Sequence, residues 1–445
     1  MEATLTTKNI LPWAARTGAL CAAVLGVLVA VFIGLHLLVL STTHDARLMR
    51  TLAAAVQNGD LTMVNFPRSF YGRDGLDYDM FGECIALSTN LGNEDKPLLY
   101  RAAATPFHGF EGAEPCKGLI DDVARGHVTE QLEYYRYWHG PTLYLRTMLS
   151  WFALPNVRVI NALLIIGALG FLVTLLVSAF GTLAAPFVVI PLAAASNLLT
   201  APASTVHALT WAWALLSVAL VFRCAATEDM LAPRSIAFVF ALGCVANFLD
   251  DLYSPTIAPT FMAFLVIATA LRTKTIARAI TEAAFTVGAW FAGLALTWIS
   301  RWLFAASVLG WRQVWDNISV SVRQRTFGDT SLAEIPKPLF TATRTAFETF
   351  KSGSDQMIVN AVVAALILLI VVLVKSRAWR FIAPRTLALL SPLLLPVLWV
   401  EIARDHTLIH PMFAYRQFVY FAIIPLMTVL CFWPWKRFGN PNRLI

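Results

Sequence analysis

The sequence predicts an all-α, polytopic membrane protein of about ten transmembrane helices, with amphipathic helices in a first external loop. Three observations lead there. Of 445 residues, 58% are apolar and 14% charged, and the mean hydropathy is +0.65, a composition foreign to soluble chains of this length. The apolar residues gather in runs of roughly 17–25, the length a helix needs to cross a core of about 30 Å, whereas a β-barrel would show short alternating segments. Lys and Arg collect in alternate connections, as the cationic excess of cytoplasmic loops requires.

From the N-terminus, the first run is Arg16 to Leu40. It is too long for a signal-peptide core and has no small-residue cleavage site after it, so it reads as a retained anchor. The polar stretch Ser41 to Pro155 follows as the first external loop. The remaining runs are Val157 to Phe180, Thr182 to Leu199, Ser204 to Phe222, Ile236 to Leu249, Ser254 to Leu271, Ala283 to Phe304, Ile358 to Val374, Leu387 to Val400 and Phe413 to Phe432. With Lys8 and Arg16 inside, alternation brings Arg223 with Arg234, Arg272 with Lys274 and Arg278, Lys375 with Arg377, Arg380 and Arg385, and Lys436 with Arg437 and Arg443 to the same side. Both termini are then cytoplasmic. The formal charge of +7 is a topology signal and fits an inner-face membrane contact; no nucleic-acid motif accompanies it.

The opposite face receives residues 41–155, a turn near Thr200, Asp250 with Asp251, a second large loop at 305–357, and Glu401 to Pro411. No linker, fixed-period repeat or low-complexity segment divides the chain, so residues 1–445 form a single integral domain. Cys21, Cys224, Cys244 and Cys431 fall in or beside spans. Cys84 and Cys116 share the first loop, where a bridge forms if the outside is oxidising and their Cα atoms come within about 7 Å. There is no Cys-x-x-Cys and no His-Glu-x-x-His, which argues against zinc chemistry.

Four strings on the external face concentrate polar chemistry. In Asp77 to Leu87, a short helix from Asp79 would bury Met80, Cys84 and Leu87 and set the carboxylates of Asp79 and Glu83 on a neighbouring face. Two such carboxylates raise one pKa or recruit a divalent cation; the plainer reading is a solvated face. In Tyr134 to Pro141, Arg136, Tyr137, Trp138 and His139 can stack on a sugar and bind a phosphate, against the ordinary aromatic belt at headgroup depth. Asp250 and Asp251 mark a turn or a polar cavity between two spans. In Arg404 to Pro411, His406 and His410 have helical spacing that suits a metal only weakly. Tyr415 and Arg416 follow at the mouth of the last span. There an Arg wants an anionic partner such as a lipid phosphate, unless it merely snorkels.

Tyr-Arg-Tyr-Trp-His-Gly at 135–140, Asn-Phe-Leu-Asp-Asp-Leu at 247–252 and Asp-His-Thr-Leu-Ile-His at 405–410, with Tyr415-Arg416 beyond, are the strings that carry a resemblance. The chain resembles a group of bacterial multi-pass proteins that includes the arabinosyltransferase of type IV pilins, and its layout is similar to the GT-C glycosyltransferase architecture. The topology matches along the whole chain, the sequence only in these short strings. The resemblance implies an inner-membrane enzyme that moves a pentose, D-arabinofuranose, from a polyprenyl-phosphate donor to a protein acceptor such as pilin, or to a glycan, on the periplasmic face with inversion. It also implies a first-loop carboxylate as base. Asp79 and Glu83 stand in that place, Asp79 ahead, but they are not the adjacent acidic pair of many GT-C enzymes.

The chemistry asks for a carboxylate within about 3 Å of the acceptor hydroxyl, and for cations on the departing phosphate. Arg136, His139, His410 and Arg416 are candidates, with Arg312, Arg323, Arg325 and Arg344 as a further basic surface. The acidic groups call for no cofactor beyond that divalent cation. Two rival classes are a transporter or flippase of a lipid-linked sugar, which needs charge at mid-span and access from both faces, and an assembly subunit that uses the first loop for docking. Few charges lie deep in the runs.

Overall fold

The computed structural model describes residues 7–64, 80–108, 114–128, 131–250, 254–327, 340–353, 379–409 and 414–432. Among them six helices are long and apolar enough to cross a membrane: Ile10–Thr42, Leu154–Phe180, Thr205–Thr227, Ile276–Leu309, Ala383–Ile402 and Tyr415–Phe432. The chain is an all-α, multi-pass membrane protein. Three runs expected to span fold as shorter apolar helices, Ala184–Ala195, Pro233–Leu249 and Ile257–Ala270. The first is only 12 residues long, about 18 Å at 1.5 Å per residue, less than the hydrocarbon core. The run Ile358 to Val374 lies outside the described residues.

In chain order, α1 (Thr7–Thr42) leads into α2 (Asp45–Gln57), α3 (Met80–Ser88), α4 (Leu98–Ala104), α5 (Pro115–Arg125) and α6 (Gly140–Leu149). A two-residue pair, Phe107–His108 against Gln131–Leu132, is the β structure among the described residues. The bundle continues with α7 (Leu154–Phe180), α8 (Ala184–Ala195), α9 (Thr205–Thr227), α10 (Pro233–Leu249), α11 (Ile257–Ala270) and α12 (Ile276–Leu309). The expected loop at 305–357 contains α13 (Trp311–Phe327) and α14 (Thr341–Gly353), and α15 (Trp379–Leu390), α16 (Leu394–Ile402), α17 (Arg404–Ile409) and α18 (Tyr420–Phe432) follow.

Burial explains the bundle order. α11 is apolar on all sides and nearly every residue is buried, which makes it the central helix. α1 and α7 expose Val27, Val31, Leu163 and Ile166, side chains that lipid covers. α10 and α12 pack backbone to backbone: a Cβ on Gly243 would meet the Trp290 carbonyl, and one on Gly293 the Phe240 carbonyl, the close approach by which helices associate in a bilayer.

The polar segment has a core of its own. Leu48 and Leu52 of α2, Met80, Cys84 and Leu87 of α3, and Leu119 of α5 pack together with Leu145 and Leu149 of α6. Cys84 and Cys116 form a disulfide with Cα atoms 5.0 Å apart. This layer rests on one end of the bundle, tied there through Arg301 to Ala102 and Ala103, and through Thr205 to Glu83. At the other end, Arg278 bridges Asp229 and Glu282, and Lys274 reaches Glu282 at 2.8 Å. The chain therefore has two unlike polar faces.

Candidate functional site

The site is built on the last turns of α12, which grip the Tyr134 to His139 string by its backbone. Trp298 and Trp302 both donate from Nε1 to the Arg136 carbonyl, at 2.6 and 3.3 Å. Arg301 is completely buried and donates from Nε to the Tyr137 carbonyl at 2.9 Å. Its terminal nitrogens reach the carbonyls of Ala102 at 2.9 Å and Ala103 at 2.7 Å and the Thr105 hydroxyl at 3.0 Å. Only the five-donor planar fork of a guanidinium can serve acceptors spread in this way. The rings of Trp138 and Phe304 lie over the cation at 5.4 and 5.7 Å. Sequence reading missed Arg301 because it lies inside an apolar run. The available signal was a lone Arg between Trp298 and Trp302, since a cation in a span marks a buried partner set.

This grip determines what the string can do. Trp138 is buried and donates to the Thr297 carbonyl at 2.8 Å, so its ring packs with Phe32, Leu143 and Phe248 and is not an open sugar platform. His139 is also buried and holds a left-handed backbone, φ 56°, a conformation that costs a non-glycine residue about 1–3 kcal/mol and persists only where neighbours enforce it. Its Nε2 lies 2.7 Å from the Tyr134 carbonyl. Burial, opposed by that bond and reinforced by Arg301, lowers the imidazole to about 3, so it is neutral and cannot act as the cation expected beside a phosphate.

Arg136 and Tyr137 meet His406 of α17. Together with Trp298, Trp302 and Trp399 they line a cavity of about 270 Å³ between α12, α13, α16 and α17. The Arg136 guanidinium stacks 4.8 Å from the Tyr134 centroid and has no carboxylate partner among the described residues. An aromatic box with a cation at its edge accommodates an apolar chain and an attached anion.

Asp250 borders a second, smaller space of about 20 Å³ with Trp213, Ser254, Trp290 and Leu294. It accepts from the Ser254 amide at 3.4 Å. Trp290, Leu294, Trp298 and Trp302 follow each other at four-residue intervals along α12 and connect the two spaces over about 18 Å.

Glu83 departs from the expected solvated face. It is completely buried, and its oxygens accept from the Thr205 amide at 2.6 Å and the Thr205 hydroxyl at 3.1 Å. Ser204 at the N-cap of α9 makes no side-chain cap bond; Glu83 supplies the cap from a distant element, where the helix end favours an anion. Tyr415 and Arg416 are buried, and the Arg416 Nη1 lies 3.0 Å from the His207 ring. One partner of this guanidinium is therefore a side chain of α9. Asp79, Asp251 and His410 lie outside the described residues, and among the described ones no group of three or more His, Cys, Asp or Glu is placed to hold a metal.

Burial pushes the Glu83 carboxyl from 4.5 up to about 7, against the opposing Thr205 bonds and the charge of Arg158. The unfolded carboxyl ionises first, so its contribution to stability is complete below pH 4.5 and declines as pH rises through about 7. Glu83→Gln keeps an acceptor for the Thr205 amide without the charge, and should remove this decline. Thermal unfolding of detergent-purified protein at pH 5 and pH 8 checks it. A wild-type-to-variant difference that is the same at both pH values would refute the titration.

No protein-family model, curated protein or solved structure matches this chain.

Proposed function

We propose that the protein is an inverting membrane glycosyltransferase that takes a sugar from a polyprenyl-phosphate donor at the periplasmic face of the bacterial inner membrane. The observation that carries this reading is the cavity lined by Arg136, Tyr137, Trp298, Trp302, Trp399 and His406. Its aromatic walls suit a prenyl chain and a sugar face, and Arg136 suits a phosphate. The short strings at 135–140, 247–252 and 405–410 support a pentose, D-arabinofuranose, and a pilin-like protein acceptor. The Cys84–Cys116 disulfide supports an oxidising, extracytoplasmic position for the polar segment.

In the proposed reaction the acceptor hydroxyl attacks the anomeric carbon and gives its proton to a carboxylate. A new carbon–oxygen bond forms as the bond to the phosphate oxygen breaks, and the electron pair leaves with the prenyl phosphate. Arg136 carries the growing phosphate charge. Asp79, next in sequence before α3, is the proposed base; Glu83, committed to α9, serves as a structural cap. A substrate-binding role for Asp250 and Asp251 is part of the same proposal.

The test is incubation of the purified protein with synthetic prenyl-phosphate pentoses and a pilin acceptor, with the acceptor mass as readout. One added pentosyl unit is expected, and turnover of Asp79→Asn should fall by about 10²–10⁴-fold with unchanged thermal unfolding. No added mass with any pentose or hexose donor would sink the transferase. Transbilayer movement of the lipid-linked sugar without transfer would establish the flippase reading instead.

A further inference from the structure

A surface remote from the α12 cavity joins α2 to the α6–α7 junction. On α2, Arg47, Arg50 and Ala54 are exposed, while Leu48, Leu52 and Ala55 point into the polar layer. Neither Arg47 nor Arg50 makes an ion pair among the described residues. Opposite them, the junction exposes Trp151 by 74% and Phe152 by 44%, a cost in water for two large rings side by side. The Arg47 guanidinium lies 5.3 Å from the Trp151 centroid, and the Thr51 hydroxyl reaches the Leu149 carbonyl at 3.3 Å, which holds the two sides together. They enclose a cleft of about 330 Å³. Asp60 is a lining carboxylate, so the two Arg residues leave the cleft with a cationic excess.

The height of this cleft is determined by the chain. α2 begins at Asp45, close after Thr42 ends α1, and Leu154 opens α7 two residues after Phe152. Both are membrane spans, so the cleft stands at headgroup depth. There, Trp and Phe bury their rings among acyl ends and guanidinium groups meet phosphates. The i, i+3 spacing puts the two cations side by side on one helix face, matched to one phosphate group.

We propose that this cleft is a binding site for the phosphate of an anionic bilayer phospholipid, with Arg47 and Arg50 on the phosphate and Trp151 and Phe152 against the glycerol and upper acyl chains. It anchors the polar layer to the bilayer surface and is separate from the donor site proposed above. The depth and the exposed rings favour a lipid over an acidic protein, which would need no apolar pair at headgroup level.

The test uses full-length protein in nanodiscs of phosphatidylcholine doped with a photoactivatable phosphatidylglycerol. Crosslinks are expected on α2 and residues 150–155 of the wild type. The lipid concentration for half-maximal labelling should rise roughly thirtyfold in the Arg47→Gln/Arg50→Gln protein and stay near wild type in Arg47→Lys/Arg50→Lys. Unchanged labelling in the Gln protein would overturn the proposal, as would equal labelling by a phosphatidylcholine probe. Displacement by free inorganic phosphate at equal concentration would mark a simple anion site, and displacement by an acidic peptide a protein-docking site; either would overturn it too. Both substituted positions carry exposed side chains, so folding is the same in every arm, which thermal unfolding verifies.

Discussion

Replacing Arg301 by Leu is expected to detach the polar layer from the bundle. The substitution leaves the carbonyls of Ala102, Ala103 and Tyr137 and the Thr105 hydroxyl without their donor in a region closed to water. Each stranded acceptor costs about 1–3 kcal/mol, so a loss of about 5 kcal/mol or more is expected, a large share of the roughly 5–15 kcal/mol by which a domain is stable, with the lost cation–π contacts added to it. Arg301→Lys keeps the charge but not the fork, and should fall between Leu and wild type. Limited proteolysis of residues 80–150 in detergent, with thermal unfolding, reads the outcome. Wild-type resistance in the Leu variant would show that the four bonds do not hold the layer. Because Trp298 and Trp302 grip the neighbouring Arg136 carbonyl, the same variant should also open the aromatic cavity and abolish any transfer activity.

The second large effect is expected at a buried ion pair that joins α2 to α6. The Asp45 carboxylate meets Arg146 Nη2 at 2.6 Å and accepts from the amides of Gly92 at 2.8 Å and Asn93 at 3.1 Å. Arg146 reaches the Asn90 carbonyl at 3.0 Å and the Thr43 hydroxyl at 3.2 Å. Both side chains are shielded, with 4% of Arg146 and 9% of Asp45 exposed. Removal of one partner leaves a buried charge alone and costs about 3–5 kcal/mol, whereas removal of both costs much less than the sum. Asp45→Ala and Arg146→Met should each lower the unfolding temperature sharply, and the double variant should recover part of the loss. Strict additivity in this double-mutant cycle would show that the two groups do not sense each other.

How much was legible in sequence follows from the range of the physics. The expected helix of Asp79 to Leu87 appears as Met80–Ser88, and Met80, Cys84 and Leu87 are buried as the spacing requires. The same spacing could not show that Glu83 is buried as well. That depends on α9 starting at Thr205, more than a hundred residues away, with an amide in need of an acceptor. Arg136, Tyr137 and His406 were each singled out locally, and they do share a cavity. Trp298, Trp302 and Trp399, which line it with them, looked like ordinary residues of apolar runs. Arg301 and His207 escaped for the same reason: inside a span, a polar residue shows only that a partner exists, not which one.

The sequence by itself determined the solvent of this protein, the helical character of its spans and the placement of its polar segment, because burial in lipid is a property of length and composition within one window. Which end of each span meets the polar layer, which carboxylate caps a helix and which cation faces a cavity were decided only by the tertiary structure. Those outcomes depend on hydrogen-bond donors and acceptors that are distant in the chain. In a water-free interior they must find each other, since an unpaired polar group there costs more than the contact that buries it.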